Sequence, residues 1–223
     1  MDQEPDLNFL RGKFIVFDGP DGCGKSTLIE EFRRRAEEQG VPAVTTREPG
    51  GTHYGEKIRE VLLTPSEHKL EPEAEMLLFM AARAQLMREQ IVPALNEGNL
   101  VLADRFVSSS LAYQGEGEGI PWQTIVGTAK EVIPYSYWPD MTVLLHVSET
   151  TAAERKAKKS QFNPDQIEKR SEEFRRRVRL GYVKQAAMYQ QYCELIEADG
   201  PVEDVADLAS RRLRERLDLS DQN

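Results

Sequence analysis

Residues 19–27 read GPDGCGKST, set between the apolar run KFIVFD and the helical pattern LIEEFRRRAEE. The spacing is complete: Gly19, four residues, then Gly24, Lys25 and Ser26. Such a loop turns successive backbone N–H groups inward around phosphate oxygens, and the following helix adds its positive end. Glycine is needed where a Cβ would block that approach. A loop of this kind must be delivered by a strand and received by a helix, which commits the chain to an α/β fold. Gly19, Pro20, Asp21, Gly22, Cys23, Gly24, Lys25, Ser26 and Thr27 are therefore assigned to a nucleoside triphosphate. Within the loop, Lys25 neutralises the outer phosphates and the Ser26 hydroxyl ligates Mg²⁺, whereas Thr27 reads mainly as a helix residue. Cys23 lies among the same N–H groups and beside Lys25, so its thiolate is expected to be stabilised.

Short apolar runs bounded by turns recur at KFIVFD, VPAVTT, NLVLAD, MTVLLHV and CELIEA, with longer helical patterns between them. That alternation predicts a five-stranded parallel sheet covered by helices on both faces. The first helix is expected from Lys25 to Gln39, stopped by Gly40. A long helix is expected over residues 71–98, where Leu78, Ala82, Leu86 and Met87 recur at helical spacing and Pro93 kinks or shortens it. A second long helix carries the stripe Phe174, Val178, Tyr182, Ala186, Tyr189, Cys193 and Ile196, which is assigned to packing. No repeat or flexible linker divides the 223 residues, so one domain is expected over 13–217, with short tails at 1–12 and 218–223.

The formal charge of −9 argues against non-specific nucleic-acid binding, which needs a broad field of Lys and Arg. Two cysteines without metal-ligand spacing point to neither a disulfide framework nor a zinc site and fit a reducing cytoplasm. The acidic start MDQEPDLNFLRG has no apolar core, and no later run is long enough to cross a bilayer, so no membrane partner is expected. One stretch departs from the acidic balance: residues 149–179 hold 10 Lys or Arg against 6 Asp or Glu. It reads either as a solvated helix pair or as a basic cover over bound phosphates.

In NLVLADR, a buried strand brings Asp104 to its carboxyl end, where a carboxylate holds Mg²⁺ through water and Arg105 reaches a transferring phosphoryl group. The same two residues also suit a plain surface ion pair. In TREPGGT, Arg47 offers a planar fork of donors to a monophosphate. Phe79 and Arg83 are four apart on a helix, so one side chain can stack on a base while the other donates to its edge. Taken alone, such a pair is more often packing beneath a solvated head.

Taken in order, FDGPDGCGKST, TREPGGT, LLFMAARAQL and DRFVSSSLAYQGEG resemble the thymidylate kinase family, over roughly residues 13–217. The resemblance implies a three-layer P-loop kinase fold with a mobile lid at about 149–170. It also implies a homodimer, ATP as donor, dTMP as acceptor and Mg²⁺ as cofactor. By the same resemblance, Lys25, Asp104, Arg105 and Arg155 are catalytic, with Ser26 and Asp104 holding the metal. The dTMP set is Asp21, Arg47, Phe79, Arg83, Arg105, Ser109, Tyr113 and Gln114. Within it, Asp21 meets the 3′-hydroxyl, Phe79 stacks on thymine, Arg83 binds its exocyclic oxygen and Tyr113 crowds out a 2′-hydroxyl. A cis peptide at Glu48–Pro49 is implied as well. The alternatives are another deoxynucleoside monophosphate kinase on the same scaffold, or a P-loop module that binds nucleotide without catalysis.

The chain departs from the family pattern in places. Gly22 stands where some members carry an arginine, which shifts the expected clamp to the lid. There Lys156, Lys158, Lys159 and Gln166 occupy positions richer in arginine elsewhere, and Arg155 fits best. Ser108 and His146 replace common aspartates, and Glu197 and Asp199 stand in the loop expected near adenine. His146 is read as structural.

Overall fold

A computed structural model of the chain describes residues 5–158, 167 and 170–220. Its five strands are β1 (Phe14–Asp18), β2 (Ala43–Arg47), β3 (Leu100–Asp104), β4 (Met141–His146) and β5 (Cys193–Glu197). All pair in parallel, in the order β2-β3-β1-β4-β5. The helices nearest the start are α1 (Lys25–Glu38), α2 (His53–Leu63), α3 (Pro72–Leu86), α4 (Val92–Asn96) and α5 (Val107–Ser110). They are followed by α6 (Trp122–Val132), α7 (Glu149–Lys158), α8 (Glu172–Met188) and α9 (Val202–Ser220).

Every residue of β1 is buried, as a central parallel strand covered on both faces must be. Side chains alternate across it. Ile15 and Phe17 join Leu28 and Phe32 of α1 and Ala209 and Leu213 of α9, while Phe14 and Val16 join Met76 and Met80 of α3 and Ile125 of α6. Leu144 of β4 packs with Phe174, Val178 and Tyr182 of α8. Each large apolar side chain removed from water in these layers contributes about 1.5–3 kcal/mol. Parallel register brings the strand ends together: Phe17 pairs with Asp104, Arg47 with Asp104, and Asp18 with Leu144.

Four expectations change in detail. Residues 71–98 do not form one continuous α-helix. Between α3 and α4 the backbone widens into a π-helical turn over Met87–Ile91, with the Val92 N–H reaching the Met87 carbonyl; Pro93, which has no N–H, follows without breaking the chain's course. The stripe assigned through Ile196 ends earlier, because α8 stops at Met188 and Cys193–Glu197 is β5. There Cys193 faces Thr142 of β4, and strand pairing overrides a helical period that no glycine or proline interrupts between Met188 and Cys193. The start at residue 13 leaves out Leu7 and Leu10, both fully buried in the core, and α9 runs past 217 to Ser220. Of the stretch read as a lid, α7, Ile167 and Arg170 are described; Lys159 and Gln166 lie outside the described residues, as do the side chains of Lys156 and Lys158. Among the described residues no helix is long and apolar enough to cross a membrane.

α8 reaches the strand ends by passing close over the π-helical stretch Leu111–Gly117. A Cβ on Gly181 would lie 3.0 Å from the Ala112 Cα, and one on Gly117 would lie 2.5 Å from the Phe174 ring. Gly181→Val is therefore expected to push α8 away from that stretch at a cost of about 1–3 kcal/mol. Calorimetry should show Tm falling by about 2–4 °C per kcal/mol. Gly127→Ala in α6, with nothing within 4 Å of the added Cβ, should keep or slightly raise Tm.

α1, which receives the phosphate loop, is tied to α9 by Arg35, whose guanidinium bonds Asp207 at 2.5 Å and Glu31 at 2.6 Å. Glu31 also accepts from Arg34, and these arginines draw its carboxyl down from 4.5 to about 2. A depressed carboxyl pKa adds stability that is present above the unfolded value and disappears as pH falls through the folded one. Thermal melts should thus show Glu31→Gln about 2–3 kcal/mol less stable than the parent near neutrality, with the gap closing between about pH 5 and pH 2.

Candidate active site

The carboxyl ends of β1, β2 and β3 open into a cleft of about 710 Å³. The loop after β1 forms its floor. Gly22 and Gly24 hold φ of 85° and 99°, a region that favours glycine, and Gly24 begins α1 with no side-chain cap over the helix's first N–H groups. A Cβ on Gly19 would meet the Leu145 carbonyl oxygen at 2.6 Å, so the loop lies directly against β4. Lys25 is buried and donates to the carbonyls of Gly19 at 3.0 Å and Pro20 at 3.2 Å. The Ser26 hydroxyl donates to the Asp104 carboxylate at 2.9 Å, joining the loop to the end of β3.

Next to them, Arg105 is the one described non-glycine residue with positive φ, 73°, and its N–H bonds the Phe17 carbonyl. That backbone is costly for a residue with a Cβ and is held by side-chain contacts. Its guanidinium donates to Ser109 at 2.9 Å, to the Gly19 carbonyl and to the carboxylates of Asp18 and Asp21. It also lies over the Tyr113 ring, 5.3 Å from the centroid, and the Tyr113 hydroxyl donates to Asp21 at 3.1 Å. Asp21 is thus fixed from two sides.

Asp18 was legible only as the end of a strand. It is fully buried, yet it accepts from the Gly19 N–H at 2.8 Å, Ser108 at 2.5 Å, Ser109 at 2.8 Å and Tyr182 at 2.8 Å. Tyr182, assigned to packing, does pack through its ring but delivers its hydroxyl to this carboxylate. Burial pushes the Tyr182 hydroxyl well above its usual range, with Asp18 adding to the effect, and burial likewise raises Tyr113. Both remain neutral donors.

The far wall comes from α3 and the TREPGGT loop. Phe79 and Arg83 both line the cleft. Arg83 is 1% exposed and grips the buried Glu48 carboxylate through Nε at 2.9 Å and Nη2 at 2.6 Å, with Ser110 at 3.2 Å and the Phe106 ring beneath it. Glu48–Pro49 is a cis peptide. Arg47 is exposed at the cleft edge, 3.3 Å from Glu56, and Arg59 of α2 lines the same edge while bonding the Pro49 carbonyl. No motif in the sequence marks Arg59.

Ser109, Tyr113 and Gln114 line the cleft with Phe79 and Arg83, and so does Arg155 from α7, which donates to the Cys23 carbonyl at 3.1 Å and the Gly200 carbonyl at 3.3 Å. Gly19 and Pro20, by contrast, lie outside its lining; every other predicted site residue takes part. Asp199 accepts from the Ser148 N–H and hydroxyl, fastening the loop after β5 to the start of α7. His146 is half-buried, and its carbonyl accepts from the Ala198 N–H, continuing the pairing of β4 with β5. The expectation for Cys23 is overturned: the residue is 1% exposed, and burial raises its thiol against the pull of Lys25 and Arg105. It stays protonated and closed to reagents.

Comparison with known proteins accounts for this arrangement. A sequence profile of the family described as thymidylate kinase matches residues 17–209. A thymidylate kinase of Pelotomaculum thermopropionicum is 44% identical over 189 residues, covering 85% of this chain and 87% of the relative. One of Kosmotoga olearia is 47% identical over 173 residues, covering 78% and 81%. The crystal structure of thymidylate kinase from Ehrlichia chaffeensis superposes with a TM-score of 0.72 at 30% identity, over 92% of this chain and 99% of that one. The profile match over most of the chain and the identities of these relatives place the chain in the thymidylate kinase family of phosphotransferases.

Proposed function

We propose that the chain transfers the γ-phosphoryl group of ATP to dTMP, giving dTDP and ADP. One observation carries the reading: a single cleft joins the phosphate loop to the Phe79–Arg83 wall, with Arg105 between them. ATP lies on the loop, Phe79 stacks on thymine, and Arg83 donates to its exocyclic oxygen. Arg47 grips the dTMP phosphate, Asp21 accepts from the 3′-hydroxyl, and Tyr113 occupies the space a 2′-hydroxyl would need. The nucleophile is the dTMP phosphate itself, so no general base is required, and the rate comes from alignment and charge neutralisation. Lys25, Arg105 and Arg155 supply positive charge around the transferred group.

The contact between the Ser26 hydroxyl and the Asp104 carboxylate supplies two hard oxygen donors beside the loop, a set that suits Mg²⁺ together with phosphate oxygens. Bound there, Mg²⁺ would neutralise charge on the bridging phosphates. A cytoplasmic setting agrees with two unpaired, buried cysteines. For a homodimer, the exposed Tyr54 and Val61 of α2 and Leu77 of α3 offer apolar surface, whereas the outer face of α1 carries the ion pairs of Arg33 and Arg34.

The deciding assay is coupled ADP release with ATP and Mg²⁺ over dTMP, dUMP, dGMP and dAMP. Preference for dTMP is expected; a preferred purine acceptor, or no acceptor at all, would sink the reading. Arg83→Ala should abolish dTMP turnover and cost about 3–5 kcal/mol of stability, because Glu48 is left buried and unpaired. Combining Arg83→Met with Glu48→Leu should recover most of that stability but none of the turnover, as denaturant melts and the same assay would record.

Tyr182→Phe keeps the ring and removes one donor from the Asp18 carboxylate that fixes Arg105. Losing such a bond costs about 1–3 kcal/mol, so kcat/KM for dTMP is expected to drop roughly tenfold or more while ATP binding holds. Unchanged steady-state kinetics would refute the link between Tyr182 and Arg105.

A further inference from the structure

We propose that Glu75, which does not line the cleft, determines which base the cleft accepts by fixing the orientation of the Gln114 side-chain amide. The proposal rests on the reading of Phe79, Arg83 and Gln114 as the base pocket. Glu75 of α3 is 2% exposed and Gln114 is 1% exposed. Gln114 Nε2 donates to Glu75 Oε1 at 2.8 Å. The other carboxylate oxygen is taken by Arg170, which also pairs with Glu118 and lies over the Phe174 ring, 4.7 Å from its centroid.

Two ends of an amide differ chemically: one donates twice, the other only accepts. A carboxylate paired with a guanidinium can only accept, so the NH₂ end of Gln114 must face Glu75. The carbonyl oxygen is then the end that Gln114 turns to the cleft it lines, and among the described residues no donor is bonded to it. An acceptor at that place suits a ring nitrogen that carries hydrogen, as N3 of thymine or uracil does, and repels the bare ring nitrogen of cytosine. Glu75 thus acts as a positioning residue that turns Gln114 into a selector for the imide, and Arg170 holds its carboxylate in place. Arg170 is where the basic segment joins α8, so the start of α8 is bonded to the base pocket through two side chains.

Replacing Glu75 by Gln makes the partner able to donate as well as accept, and the Gln114 amide can then face either way. The test compares kcat/KM for dTMP with that for dCMP in the parent protein and in Glu75→Gln. The dTMP-to-dCMP preference is expected to fall roughly tenfold, the scale set by one mispaired buried polar contact. Purely structural damage would lower both values together and leave their ratio unchanged; an unchanged ratio in a folded variant overturns the proposal. In a Gln114→Met background, Glu75→Gln should shift the ratio no further, and an equal shift there would also overturn it. Should Glu75→Gln fail to fold, Arg170→Gln carries the test. Without Arg170 the second Glu75 oxygen is no longer held and the carboxylate can turn away from the Gln114 amide, so the ratio should fall in the same direction, and constancy counts against the proposal. Absence of dTMP turnover in the parent protein would instead defeat the kinase reading itself, an outcome distinct from an unchanged ratio.

Discussion

The carboxylate of Asp18 sits at the end of the most buried strand with no solvent exposure. An ionised carboxylate in that position costs several kcal/mol unless donors surround it. The donors come from four different segments: the loop N–H of Gly19, the hydroxyls of Ser108 and Ser109 on α5, the hydroxyl of Tyr182 on α8, and Arg105 after β3. Removing any one leaves the others facing an under-satisfied charge. That mutual dependence ties the phosphate loop, α5 and α8 to one point, and it holds Arg105 in a left-handed conformation that a lone arginine would leave.

The far wall of the cleft repeats this solution with a different balance. Arg83 and Glu48 form an ion pair almost wholly removed from water, with at least three hydrogen bonds between them and a fourth to Ser110. Such a pair adds little net stability compared with apolar packing. What it provides is direction: a guanidinium gripped at Nε and Nη2 and seated on Phe106 has few ways to turn. Arg105 and Arg83 are thus both held by buried carboxylates, one beside the phosphate loop and the other on the opposite wall of the cleft.

How much of this was legible in the sequence follows the range of the interactions. The phosphate loop and the Asp104–Arg105 pair depend on backbone shape and on residues adjacent in the chain, so a short pattern carries them. Phe79 and Arg83 share a helical face by spacing alone, although their partners do not. Asp18 reads as one more strand residue until strand pairing and α8 bring Ser108 and Tyr182, 90 and 164 residues away, onto it. Tyr182 itself hides in an apolar stripe because its ring belongs there and its hydroxyl does not. Cys23 shows the opposite error: the local surroundings favour a thiolate, but the approach of the loop to β4 removes the water that a thiolate needs.

The basic segment makes the final contrast. Its charge excess suggested a cover of free cations, yet Arg175 pairs with Glu172, Arg179 with Glu149 and Glu172, and Arg177 with Glu173. These pairs are largely exposed, worth little each, and easily exchanged for water. Arg155 differs in kind. Among the described residues its guanidinium bonds two backbone carbonyls, one in the phosphate loop and one after β5, and its charge helps to lower the nearby Asp199 carboxyl. Carbonyl dipoles orient an arginine without neutralising it. Arg155 is therefore held against the loop chiefly by backbone dipoles, whereas most of the segment's described arginines are held by hydrogen-bonded acids.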